Sequence, residues 1–340
     1  MALSPLNQRR WRNFRRNGRA YWSLIIFSIL FGLSLFAEFI ANDKPILVNY
    51  RGDYFTPIFN FYPETAFGGD FQTEAIYRDP EIDGEPIEKG WALWPPIRYS
   101  FNTTVDRPGA APLPPNGQNL LGTDDTKRDV LARVIYGFRL SILFTLIVTT
   151  VSSLIGIAAG AVQGYVGGWL DLIFQRVIEI WSGTPQLYVI IIMFAILGRS
   201  FWLLVFLMIA FGWMSLVGVV RAEFLRARNL EYVRAAKALG VGNLTIMFRH
   251  MLPNAMVATL TMLPFIVTGT IAALASLDFL GFGLPSSAPS LGELTLQAKQ
   301  NLQAPWLAFT AFFTFAIMLS LLVFIFEGVR DAFDPRKTFS

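Results

Sequence analysis

LSILFTLIVTTVSSLIGIAAGAV, residues 140–162, contains no charged side chain. As a helix at 1.5 Å per residue it reaches about 34 Å, enough to cross the roughly 30 Å hydrocarbon core of a bilayer. Five more apolar segments of similar length flank it, at residues 21–41, 177–197, 202–220, 255–277 and 307–326. Composition agrees: 54% of the 340 residues are hydrophobic and 15% charged, with a mean hydropathy of +0.47. A soluble domain carries roughly 25% charge, so this chain has too few charges to cover a globule of its size. The sequence predicts an all-α membrane protein with six transmembrane helices. Pro185 and Pro264 fall inside predicted spans, where neighbouring helices or water must satisfy the carbonyl each proline frees.

Charge sets the expected sidedness. Arg9, Arg10, Arg12, Arg15, Arg16 and Arg19 precede the first span. That span is too long for a secretory h-region and has no Ala-x-Ala-like exit, so it reads as retained. Arg221, Arg226, Arg228, Arg234, Lys237 and Arg249 fill the connection between the fourth and fifth spans, and Arg330, Arg336 and Lys337 end the chain. Positive residues collect on the cytoplasmic side, so six spans leave both termini there. Residues 42–118 then form an outer insertion. Its prolines preclude long helices, its middle is acidic (Glu81, Asp83, Glu85, Glu88), and its aromatics, including Tyr54, Phe59, Trp91 and Trp94, argue for an irregular or β-containing cap. Residues 109–117 read as a linker. The expected layout is a cytoplasmic segment at 1–20, the first span at 21–41, the insertion at 42–118, a core domain at 119–328 and a cytoplasmic tail at 329–340.

Within residues 140–168, Gly156, Gly160, Gly164 and Gly168 fall four apart. On one helix they make a groove for a close helix neighbour, in a bundle or a dimer; alternatively the last of them simply mark a helix end. Elsewhere the sequence is poor in reactive chemistry. No G-x-x-x-x-G-K-[ST] phosphate loop occurs, and His250 is the only histidine. The absence of cysteine removes disulfides and thiolate sites. Neither a catalytic residue nor a metal site is expected. Glu38, Glu179, Asp278 and Glu327 lie near span ends, where headgroup water can solvate them. No basic stripe with interleaved aromatics suggests nucleic acid.

The informative connection is residues 221–254. Asn229 can cap a helix over 230–239, Glu231 complements its dipole, and Gly240 supplies a left-handed exit. Tyr232, Ala235, Ala236 and Leu239 share one face, and Glu231, Arg234 and Lys237 the other. Asn243 can cap a second helix ending before Pro253. A short helix with nothing of its own to cover it either rests on lipid or meets a partner.

YVRAAKALG (232–240), continuing to Leu252-Pro253, resembles the EAA loop of ABC importer permeases, with Ala235, Ala236, Gly240, Leu252 and Pro253 in register. Arg234 stands where glutamate is usual, and His250 where isoleucine is. LGTDDTKRDVLARVIYGFRLS (121–141) resembles the signature of the dipeptide/oligopeptide/nickel permeases through Gly122, Thr123, Asp124, Arg128, Asp129 and Arg133, with Lys127 in place of a glycine and Ala132 in place of a serine. Thr123 can cap a helix there. LGFGLPSSAPSLGE (280–293) resembles a third block of the same family. With its long insertion, the chain is similar to the branch that carries oligopeptides and microcin C.

That resemblance implies a type I importer permease fold and one half of a peptide pathway, in a heterodimer with a related permease. It also implies an ATPase with two nucleotide-binding domains, which would bind ATP and Mg, and a periplasmic peptide-binding protein. Residues 232–253 would be the element that docks on the ATPase. The rival reading is a membrane scaffold or receptor whose outer cap binds a ligand while the loop recruits a cytoplasmic partner.

Overall fold

The computed structural model describes residues 5–77 and 90–333. The acidic middle of the insertion, Arg336 and Lys337 lie outside them. In chain order, α1 (Pro5–Arg16), α2 (Gly18–Leu35) and α3 (Ala37–Ile40) lead to β1 (Leu47–Tyr50), β2 (Asp53–Phe55) and β3 (Gly90–Leu93). Next come α4 (Val130–Val166), α5 (Gly168–Ser182), α6 (Gln186–Leu197), α7 (Phe201–Gly212), α8 (Met214–Ala227) and α9 (Glu231–Ala238). Then follow α10 (Asn243–Phe279), α11 (Leu291–Gln300) and α12 (Pro305–Phe333). Two compact units result: Met1–Ser28 with Ile142–Pro285 and Ala316–Ser340, and Ile29–Ser141 with Ser286–Phe315.

Five helices are long and apolar enough to span a membrane: α2, α4, α7 with α8, α10 and α12. The predicted third span is not one helix. It is α5 and α6, bent by 71° at residues 183–185. The cause is local: Pro185 lacks an N–H, and its ring disfavours helical backbone at Thr184.

In the first unit, α8 lies on α4 with the two backbones in contact. A Cβ at Gly160 would sit 2.7 Å from the Val217 carbonyl oxygen, and one at Gly164 2.6 Å from that of Arg221. At Gly156 it would collide with the Trp213 carbonyl. The glycine seam is therefore internal to this chain. Gly168 is not part of it; with φ of 59° it starts α5 in open space. The bidentate pair Arg221–Asp171, at 2.5 and 2.6 Å, ties α8 to α5 beside the seam.

The second helix of the connection does not stop before Pro253. It runs on into α10 through a π turn at Ile246–Met251. The wide turn takes up the pairing that a proline without an N–H cannot make.

The second unit holds an antiparallel sheet in the order β2-β1-β3. Val48 stands opposite both Phe55 and Ala92. Alternation along β1 buries Val48 and Tyr50 around Phe67, whose ring meets Tyr50, Phe55, Tyr62 and Tyr77 at 5.1–6.4 Å. The expected cap is thus a small sheet with an aromatic core. Residues 109–117 are not a free linker: Leu113 is buried and exchanges backbone hydrogen bonds with Thr123. Glu38 is not merely solvated at a span end, since Arg139 donates to both its oxygens at 2.8 and 2.9 Å.

Candidate functional site

α9 is a two-turn helix about 12 Å long. Glu231 sits in its first turn and Lys237 in its last, each suited to the dipole there. Asn229 does not cap it. Its side-chain amide donates back to the Leu225 carbonyl at 3.4 Å, and the N-cap is Leu230, without a side-chain bond. Gly240 supplies the left-handed exit, with φ of 77°.

The buried face differs from the expected one. Val233 (1% exposed) and Ala236 (8%) pack into a core made by Val220 and Phe224 of α8, Ala161 of α4, and Ile246, Met247 and Met251 of α10. Ala235 and Arg234 are exposed, and Leu239 is 84% exposed. Val233 offers more apolar area than any alanine, so it decides which face turns in. Tyr232 turns outward, and its hydroxyl accepts from the Asn254 side chain at 3.1 Å. Leu252 packs half-buried against the same core, and Pro253 is exposed. Around the other side, the Lys237 ammonium lies 5.5 Å from the Tyr165 ring centre, and Tyr165 donates to Asn243 Oδ1 at 2.6 Å. So Asn243, expected as a cap, is used as an acceptor. The outcome is a short helix pinned at its base on the glycine seam, presenting Ala235 and Leu239 outward. A hollow of about 520 Å³ opens beside it between Tyr232, Asn254, Glu223, Arg226 and Arg330.

The other predicted set lies in the second unit, and the structure brings all of it together. Asp124 is fully buried and accepts from the backbone of Thr126 and Arg128, from the Thr126 hydroxyl and from Arg128 Nε, all at 2.8–2.9 Å. Arg133, 0% exposed, donates to Glu293 at 2.6 Å and has its Nε 3.5 Å from Asp124. Arg128 reaches the other Glu293 oxygen at 3.3 Å. Burial pushes the Glu293 carboxyl above its ordinary pKa against the pull of both arginines, and burial followed by the Asp124 charge pushes Asp125 up.

Thr123 does not cap α4. Its hydroxyl accepts from the Leu113 N–H at 2.8 Å, and Asp129 caps instead, accepting from Ala132 N at 2.8 Å. Gly122 has φ of 72° and no room for a Cβ beside Trp306. Lys127 keeps the left-handed backbone natural to the glycine it replaces, with φ of 62°. Sequence reasoning missed Glu293, Val233 and Asp171. Ser290-x-x-Glu293 was a legible helix start, and Ser290 does accept from Glu293 N at 3.1 Å, but nothing local announced its two arginine partners.

A family model for the inner membrane component of binding-protein-dependent transport systems matches residues 152–339, which include the seam, α9 and its core. The chain belongs to this permease family. A second model, the N-terminal transmembrane domain of oligopeptide transport permease C, matches residues 4–57 of the permease. The permease is 58% identical to the inner membrane ABC transporter permease protein YejE of Escherichia coli over 338 residues, covering 98% of each chain. It is 56% identical to the peptidoglycan transport system permease protein YejE of Agrobacterium fabrum over 362 residues, covering 99% of this chain and 95% of that one. It is 34% identical to the dipeptide transport system permease protein DppC of Bacillus subtilis over 227 residues, 66% of this chain and 71% of that one.

Proposed function

We propose that this permease forms one half of a peptide pathway in the inner membrane, with a related permease as the other half, and that α9 couples it to a cytoplasmic ATPase that binds ATP and Mg. The relatives' names supply the substrate class: dipeptides in one and peptidoglycan in another. Peptides, including peptidoglycan-derived peptides and peptide-nucleotides of the microcin C kind, are the proposed cargo, delivered by a periplasmic binding protein. The termini and α9 would face the cytoplasm, and residues 42–118 the periplasm.

The observation that carries the reading is Leu239. A large apolar side chain left 84% exposed at the tip of a helix whose base is locked into the core is built to enter a partner's groove and transmit its tilt. Val233 and Ala236 hold the helix to α8 and α10, so a push on Leu239 moves spans, not a loose loop.

Leu239→Asp in the reconstituted complex should lower peptide-stimulated ATP hydrolysis at least about ten-fold, the effect of about 1.4 kcal/mol, and weaken co-purification of the ATPase. Gly240→Val, at φ of 77°, should lower coupling through strain of about 1–2 kcal/mol. Normal stimulation and full ATPase retention in both variants would mean that α9 rests on lipid. Ala236→Trp is a poorer test than the sequence suggested, because Ala236 faces the permease's own core. Uptake of a panel of short peptides, a muropeptide and a peptide-nucleotide by cells carrying this permease identifies the cargo.

A further inference from the structure

The first acidic residue of the chain is Glu38, and six arginines precede it. Five of them lie on α1, which is set against the ends of α2 and α12 in the first unit by Phe14, Ala20, Val329 and Ala332. Two hollows meet at Trp11. One, of about 340 Å³, is lined by Gln8, Trp11, Arg12, Arg15 and Arg16. Among the described residues, no carboxylate lies within ion-pairing distance of Arg12, Arg15 or Arg16. The other, of about 440 Å³, is apolar and walled by Phe14, Leu24, Ile325, Val329 and Phe333. Arg10 closes its rim by lying over the Phe333 ring, 4.1 Å from the ring centre. Trp11 is 45% exposed, stacked on Phe14 and shared by both hollows.

A guanidinium hollow alone would suit any oxyanion, and an apolar groove alone any hydrophobe. Their junction at one indole, at the ends of two helices long and apolar enough to span a membrane, selects an amphiphile with a negative head. Tryptophan and arginine are the residues that settle at the headgroup level. We propose that α1 with the ends of α2 and α12 forms a binding site for one acidic phospholipid of the adjoining leaflet. Its phosphate lies among Arg12, Arg15 and Arg16, and an acyl chain lies along the Phe14–Val329 groove. The occupant is a lipid and not free phosphate, because the groove needs a chain to fill it.

The chain contains no cysteine, so a bimane label on Gln8→Cys reports from this site alone. The labelled permease, co-purified with its partners, is placed in phosphatidylcholine nanodiscs doped with acyl-brominated lipid. Brominated phosphatidylglycerol should quench at a lower mole fraction than brominated phosphatidylcholine, by about five-fold for each guanidinium engaged. Arg12→Gln/Arg15→Gln/Arg16→Gln should abolish the preference at unchanged melting temperature, since all three side chains are exposed. Trp11→Ala should weaken quenching by both lipids, and inorganic phosphate should not relieve it. Equal quenching by the two lipids, or a preference that survives the triple substitution, overturns the proposal. So does the absence of quenching by either lipid, the result expected if a partner subunit or residues beyond Phe333 fill the groove.

Discussion

Lys127 shows how one residue can break a pattern and keep its geometry. The turn between Asp124 and Asp129 requires a left-handed residue, and Lys127 takes that conformation although its Cβ makes it costly, by about 1–2 kcal/mol. Its ammonium donates to the Arg107 carbonyl at 2.9 Å, which offsets part of that cost. Lys127→Ala keeps the strain and loses the bond, whereas Lys127→Gly loses the bond and the strain together. The glycine variant should therefore be more stable than the alanine variant by about 1 kcal/mol, read as the difference in melting temperature of the purified permease. Equal melting temperatures would mean that the turn relaxes out of the left-handed region. The departure from the family pattern was visible in the sequence. That the backbone would hold its shape was not, because it depends on Val105 and Asp124, which bond the Lys127 carbonyl and N–H.

At the scale of elements, the sequence made legible whatever depends on periodicity and length. The apolar runs became helices, the glycines spaced four apart became a seam, and Gly240 ended α9. The misses share a cause, since each was decided by a contact distant in sequence. Which face of α9 turns inward depends on α8 and α10, and the extent of α10 depends on the π turn ahead of Pro253. The charged knot needs α11 to bring Glu293 to Arg128 and Arg133, 165 and 160 residues away. Burial raises the Glu293 pKa despite two cations, so the pair is costly to bury and serves to fix α11 against the start of α4. Glu293→Leu, which strands the buried Arg133, should cost about 3–5 kcal/mol. Arg133→Met with Glu293→Leu should restore most of that loss, as a double-mutant cycle on thermal unfolding would show. Additive losses in the cycle would mean that each side chain acts alone.

For the whole molecule, the open quantity is whether the bent pair α5–α6 crosses the membrane or turns back. Its arms are 15 and 12 residues long, about 22 and 18 Å. Joined at 71°, they reach end to end about 33 Å, still more than the roughly 30 Å hydrocarbon core. Charge points the same way. If the pair turned back, the remaining five spans would place the N-terminal arginines on one side and Arg226, Arg228, Arg234, Lys237 and Arg330 on the other, against the positive-inside rule. If the pair crosses, all of them fall together. Single cysteines in the cysteine-free chain decide between the two. Gly117→Cys and Arg199→Cys should react with an impermeant maleimide on intact cells, and Lys237→Cys only after permeabilisation. The opposite result at Arg199 and Lys237 would make α5–α6 a re-entrant loop and put α9 on the outer side. The coupling proposal would then fail, because no cytoplasmic ATPase could reach Leu239.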